Sequence, residues 1–149
     1  MRAVVQRVNC ARVEVDGCVV GEIGRGLTAF IGAGAGDTEN DARVIVSKLV
    51  GLRVFPDLQD KMSLSITDVQ GSVLAISQFT VFGDVRRGRR PSFDGAMEPV
   101  EAQRLFDMVV GGIRDMGINV ETGRFRAMMR VLVDNDGPVT ILIDSRKVF

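Results

Sequence analysis

MRAVVQRVNCARVEVDGCVVGEIGRGLTAFIGA, Met1–Ala33, decides how the chain starts to fold. Ala3–Val8, Arg12–Val15, Cys18–Ile23 and Leu27–Ala33 are partly alternating runs rich in β-branched residues, separated by Asp16-Gly17 and Gly24-Arg25-Gly26. Alternation sends successive side chains to opposite faces, and Asp-Gly is a strong signal for a two-residue hairpin. An antiparallel sheet is therefore expected from the first residue onward. Counting outward from Asp16-Gly17 puts Val15 opposite Cys18 and Ile23 opposite Cys10. The only two cysteines are thus not cross-strand partners, and no disulfide is expected.

Beyond Ala33 the period changes. Ala42, Ile45, Leu49 and Leu52 recur at helical spacing, Thr38 with Asp41 makes an N-terminal capping pair, and Pro56 stops the run after the helix. A short strand is expected at Arg53–Phe55, with further strands at Met62–Leu64 and Val73–Phe79 around a turn at Asp68–Ser72. Gly83–Gly95 has no apolar period and reads as a loop. Pro99 suits the first turn of a second helix, which lines Ala102, Leu105, Phe106, Val109, Ile113 and Met116 along one face until Gly117 ends it. Two last strands, Met129–Val133 and Val139–Ile143, flank Asn135-Asp136-Gly137, which reads as a hairpin turn with Pro138 opening the strand after it. The fold class expected is α+β: a single domain over residues 1–149, mostly antiparallel β-sheet curled into a barrel-like core, with two main amphipathic helices.

Composition narrows the chemistry. The chain has 149 residues, 46% of them hydrophobic, enough for a core of its own, and 19 basic residues balance 19 acidic ones. Nucleic-acid binding would therefore need a local patch. Histidine is absent, which removes Ser-His-Asp and Cys-His catalysis and the commonest metal ligand together. No metal site and no cofactor is indicated by any motif. The N-terminus alternates instead of offering a continuous apolar run, and no stretch approaches bilayer length, so no membrane partner and a reducing, cytoplasmic setting are expected.

Four segments carry candidate sites. GAGAGD, Gly32–Asp37, lies between a strand and a helix, but its glycine spacing matches neither dinucleotide nor P-loop patterns, which favours a plain connection over a nucleotide site. VRRGRRPSF, Val85–Phe93, concentrates Arg86, Arg87, Arg89 and Arg90 beside an aromatic; it is either a phosphate-contacting patch or an arginine-rich surface loop. In ISQFTVFGD, Ile76–Asp84, a strand delivers Ser77, Gln78 and Thr80 to the start of that loop, yet no sequence-local base is available to activate Thr80. GPVT, Gly137–Thr140, is either the hairpin already described or a place where Gly137 lets backbone approach a ligand, with a cis peptide turning carbonyls into a cavity.

SQFT at Ser77–Thr80 together with GPVT at Gly137–Thr140 resembles the paired signatures of the D-aminoacyl-tRNA deacylase family. MRAVVQRV at the start, GEIGRGL at Gly21–Leu27, GRRPSF at Gly88–Phe93, TGRF at Thr122–Phe125 and NDGPVT at Asn135–Thr140 look like family positions in family order, so the resemblance covers essentially the whole chain. It implies a homodimer that hydrolyses the ester between a D-amino acid, or mischarged glycine, and the 3′-terminal adenosine of tRNA. It also implies that Gly137 and Pro138, joined by a cis peptide, reach the neighbouring subunit's site and exclude L-amino acids. Carried over, Ser77, Gln78, Phe79 and Thr80 form the catalytic pocket, Arg7 fixes the Gly137-Pro138 orientation, and Phe125 with Met129 takes the adenosine end. Arg86, Arg87, Arg89 and Arg90 become candidate tRNA contacts, and the substrate's own 2′-OH replaces the missing protein base. Where the family commonly continues SQFT with leucine and then alanine, this chain has Val81 and Phe82; if the end of that strand faces the pocket, Phe82 narrows it or shifts the loop. The rival reading is a non-catalytic tRNA- or RNA-binding module that uses the arginine loop; a structural protein with no pocket is a further one.

Overall fold

The computed structural model describes residues 1–149. The chain opens on an unbroken strand, β1 (Arg2–Val15), followed by β2 (Cys18–Ile23) and β3 (Gly26–Gly32). Helix α1 (Glu39–Gly51), the short strands β4 (Phe55–Pro56) and β5 (Met62–Leu64), and β6 (Ser72–Ser77) come next. A 3₁₀ turn (Phe79–Phe82), helix α2 (Pro99–Asp115), β7 (Val120–Thr122) and β8 (Arg130–Asp144) complete the chain.

β1 organises the main sheet. Along one edge its first half pairs antiparallel with β3 (Val4 opposite Phe30) and its second half with β2, while β8 runs antiparallel along the other edge. From β3 the order continues through β6 and β7, and both of these pairings are parallel. Each parallel step follows a segment containing a helix, and a crossover of this kind brings the chain back in the same direction. The sheet is thus mixed: most of its pairing is antiparallel, as the alternation pattern suggested, and the two steps through β6 and β7 are parallel. It is also nearly closed: Gly21 of β2 lies so near β7 that a Cβ there would sit 2.7 Å from the carbonyl oxygen of Thr122. The result is a single α+β domain with a mixed sheet almost closed into a barrel and two helices.

Both helices pack on one face. Ile45 and Leu49 of α1, and Leu105, Val109 and Ile113 of α2, are fully buried with Val5, Leu27, Ala29 and Ala75 of the sheet. A smaller apolar cluster, with Val8, Val13, Ile23, Leu74 and Ile76, fills the barrel side. The capping pair read from the sequence is present, with the Thr38 N–H donating to Asp41 Oδ2 at 2.8 Å.

Three local expectations are corrected. The hairpin at Asp16-Gly17 sets Val15 opposite Cys18 as counted, but a bulge at Val13/Glu14 advances the register, so that Ile23 faces Ala11 and not Cys10. Both cysteines are free and exposed. The second correction concerns Asn135-Asp136-Gly137, which does not turn the chain back: residues on both sides pair with β1, and β8 absorbs the segment through register shifts between Gln6 and Cys10. β1 supplies one continuous partner for both halves, and a bulge keeps that ladder where a hairpin would end it. Finally, the strand expected to run through Phe79 stops at Ser77 and passes into the 3₁₀ turn.

Candidate active site

Parallel pairing sets Ser77 opposite Ile31, and the Gln78 N–H donates to the Ile31 carbonyl at 2.8 Å, carrying the ladder one residue past the strand. The chain then tightens into the 3₁₀ turn, closed where the Gly83 N–H donates to the Thr80 carbonyl at 2.9 Å. As opening residues of that turn, Phe79 and Thr80 carry N–H groups with no carbonyl partner inside it. Beside the turn lies a cavity of about 310 Å³. Its wall includes Ser77, Gln78 and Phe79, with Met97 and Phe106 from α2 and the residues before it, and Phe125 from the loop after β7. Such a site, largely apolar with a few convergent polar groups, is what small ligands usually occupy.

Thr80 stands exposed on the turn and outside the cavity wall. Its hydroxyl oxygen accepts from Gln78 Nε2, and neither carboxylate nor amine reaches it. Phe79 is exposed and meets Phe93 edge-on, ring centres 5.0 Å apart at 69°, which ties the arginine loop to the rim of the cavity.

That loop is closed by paired backbone hydrogen bonds between Asp84 and Ser92, at 2.8 and 2.9 Å. Arg86 folds back, its backbone N–H and Nε each 2.9 Å from Asp84 Oδ1 and its Nη2 2.6 Å from Oδ2. Hydrogen bonds from the Arg86 side chain, then from its backbone, hold the Asp84 carboxyl down at about 2. Arg87, Arg89 and Arg90 are exposed and carry no ion pair. The four arginines read as one patch therefore divide into a brace and three free guanidiniums.

The Gly137-Pro138 peptide is cis, with Gly137 at φ +122° and both residues exposed in the bulged middle of β8. Arg7, nearly buried, approaches Asp136 Oδ2 at 2.9 Å through Nε and donates from Nη1 to the Val54 carbonyl at 2.6 Å. Its Nη2 would lie 3.1 Å from a Cβ on Gly137. The pair is far from the cavity of its own chain. Arg7, beside it, is opposite Leu27, four residues along β3 from Ile31, and reaching β6 from β8 crosses β1 and β3. At ordinary strand dimensions that is about 13 Å along the sheet and about 14 Å across it.

Of the remaining sequence candidates, Phe125 lines the cavity, whereas Met129 is not part of its wall and packs beside Gly123 with the cluster of Val13 and Ile76. Phe82 does not narrow the cavity; its ring turns to the other side of the turn, over Gly34. Sequence reasoning missed the wall from the second helix. Ala102 and Phe106 were legible as an apolar i, i+4 pair, but nothing local distinguishes a helix face that seals a core from one whose first turns stop at a cavity.

The fold and site define a single-domain α+β protein with a ligand-sized cavity rimmed by a hydroxyl and an amide, and with no histidine to serve as base. The model of a family described as D-Tyr-tRNA(Tyr) deacylase matches residues 4–144. The chain is 64% identical over 150 residues to a D-aminoacyl-tRNA deacylase of Sorangium cellulosum, covering 100% of both. It is 54% identical over 149 residues to one of Syntrophobacter fumaroxidans, again covering 100% of both. It belongs to the D-aminoacyl-tRNA deacylase family, a family of hydrolases. Among solved structures it is similar to one titled c-Myc DNA Unwinding Element Binding Protein, with TM-score 0.91, 37% identity, and 97% of this chain and 98% of that one covered. It shares its fold with a probable eukaryotic D-amino acid tRNA deacylase, with TM-score 0.81, 16% identity and 95% and 97% covered.

Proposed function

We propose that this protein hydrolyses the ester joining a D-amino acid, or mischarged glycine, to the 3′-terminal adenosine of tRNA, and so proofreads chirality in translation. The observation that carries the reading is the SQFT segment, turned at the rim of a ligand-sized cavity in a chain of this family. Water adds to the ester carbonyl, whose electrons move to its oxygen. Collapse breaks the bond to the ribose 3′-oxygen, which takes up a proton as free amino acid and tRNA separate. The N–H groups of Phe79 and Thr80 polarise the carbonyl, and the neighbouring ribose 2′-OH positions the water and relays its proton. Thr80, outside the cavity wall, acts through its N–H at the turn and not as a nucleophile, and its hydroxyl is engaged by Gln78. Phe125 takes the adenosine end, with Met129 packed beside Gly123.

A second copy of the chain supplies Gly137 and Pro138, whose carbonyls face the cavity and exclude the side chain of an L-amino acid, while Arg7 holds the pair. The distance of the pair from its own cavity supports this arrangement. So does β8, whose outer edge has no strand partner and exposes Leu142; long apolar edges of this kind are normally covered. Arg87, Arg89 and Arg90 contact acceptor-stem phosphates. The setting is cytoplasmic, which suits two exposed free thiols.

Matched D- and L-aminoacyl-tRNA, followed for ester loss, test the reading: selective loss of the D-ester is expected, and intact esters would overturn it. Thr80→Ala is expected to keep substantial turnover, whereas tRNA ending in 2′-deoxyadenosine is hydrolysed about 10²-fold more slowly, the scale of losing one transition-state donor. A second reading, nucleic-acid binding without catalysis, is favoured by the arginine loop and by the name of the DNA Unwinding Element relative. It is the outcome if tRNA is bound and both esters persist.

A further inference from the structure

The glycine-rich GAGAGD segment has a use unrelated to phosphate. Three of its backbone donors are already engaged: the Gly34 N–H by Asp37 Oδ2 at 2.5 Å, the Ala35 N–H by the Gly95 carbonyl at 2.9 Å, and the Asp37 N–H by the Gly34 carbonyl at 3.0 Å. The buried Asp37 carboxylate also sits where an anion would have to go. What the glycines accommodate is an aromatic ring. A Cβ on Gly34 would fall 2.5 Å from Phe82 Cε1 and 2.7 Å from Cζ, one on Gly32 would fall 3.3 Å from Cδ2, and one on Gly95 4.0 Å from Cδ1. The remaining face is covered by the Arg2 guanidinium, 4.6 Å from the ring centre. Arg2 is itself held by Asp144 Oδ2 at 3.0 Å.

Phe82 is the last residue of the 3₁₀ turn whose first residues are Phe79 and Thr80. No residue of that turn is fully buried; this ring and the half-buried Val81, whose carbonyl accepts from Arg2 Nη1 at 3.4 Å, attach it to the strand side of the domain. We propose that Phe82 is a positioning residue, seated between Gly32, Gly34, Gly95 and Arg2, that fixes where the Phe79 and Thr80 N–H groups stand at the cavity. A four-residue turn is short enough that a shift at its end is felt at its start, and misplacement by about 1 Å at a reacting centre can cost about 10²-fold in rate. The kinetic consequence rests on the proposed deacylation; the positioning itself does not.

The experiment is a mutant cycle. Phe82→Ala is expected to lower kcat on D-aminoacyl-tRNA by about 10- to 100-fold with KM within about twofold, because tRNA contacts made elsewhere are kept. Gly34→Ala, at a residue whose φ is not left-handed, is expected to do similar harm alone and little further harm in the Phe82→Ala background, where the nearest remaining atom is Asp37 Oδ2 at 3.2 Å. Gly32→Ala is expected to be harmful in both backgrounds, since its Cβ would also meet the Gln78 carbonyl at 2.6 Å. Backbone amide NMR signals of Phe79 and Thr80 are expected to move in Phe82→Ala. That readout holds even if wild-type protein leaves the ester intact, in which case the deacylase reading fails and the positioning role is still judged. If Phe82→Ala does not fold, Phe82→Leu carries the same measurements. Unmoved Phe79 and Thr80 signals with unchanged kcat, or Gly34→Ala equally damaging without the ring, would overturn the proposal.

Discussion

SQFT and GPVT, the two motifs that stand out together in the sequence, occupy opposite kinds of position. Ser77–Thr80 leaves an interior strand, held between β3 and β7, and turns at a cavity built by its own chain. Gly137–Thr140 lies in the bulged middle of β8, which has a partner on one edge only, with Gly137 and Pro138 outside that cavity. The first borders a pocket that its own chain already forms. The second is an exposed projection, and a projection becomes functional only against something else. The contrast teaches why the proposed active site draws on two copies of the chain.

The strongest way to break that comparison is to disable the motifs separately. Gly137→Ala puts a Cβ 2.8 Å from Val139 Cγ2 at φ +122°, a backbone conformation that alanine resists. It is expected to lower kcat/KM on the D-ester by about 10²-fold. Gln78→Ala is expected to be impaired as well. If each site combines motifs from both copies, mixed dimers contain one intact site, and equal mixing of the two variants restores about a quarter of wild-type activity. Mixtures no more active than their components would place both motifs in one chain's site.

A smaller effect sharpens the division within the arginine loop. Replacing Arg87, Arg89 and Arg90 with glutamine is expected to weaken tRNA binding and to flatten its log–log salt dependence by roughly 0.9 for each phosphate no longer neutralised. Arg86→Gln should change that slope least, because its guanidinium already serves Asp84. Filter binding between low and moderate salt distinguishes the two cases.

The smallest effect lies far from either motif. Burial raises the Asp41 carboxyl, but hydrogen bonds from Ser145 and Thr38 and the nearby N-terminal ammonium outweigh it and bring it from 3.8 to about 2. A carboxyl depressed on folding contributes stability that is complete above its unfolded value and fades as pH falls through the folded one. Thermal melts of wild type are thus expected to lose this contribution between about pH 4 and pH 2, and Asp41→Asn to show a shallower acid limb. An identical acid limb would remove Asp41 from the account.

Local chemistry made much of this legible. Both helices followed from their period and end signals, and the Asp16-Gly17 hairpin from its turn residues. Asn135-Asp136-Gly137 misled because a turn signal is a short-range preference, while a continuous partner strand is a long-range fact; with β1 alongside, the same residues form a bulge. GAGAGD matches neither nucleotide-loop pattern in its spacing, and its contact with an aromatic ring was invisible because that ring lies 48 residues further along the chain, from Gly34 to Phe82.

The sequence by itself determined the two helices and most of the strands, the absence of a histidine base, and the identity of the motifs, since these depend on residue type and spacing along the chain. Tertiary structure decided strand direction in the second half of the sheet, which crossovers through the helices impose. It also decided that the cavity takes part of its apolar wall from the second helix, that Arg86 is spent within its own loop, and that Gly137-Pro138 stands away from Ser77–Thr80. Each of these is a matter of distance between residues remote in the chain, which only packing sets.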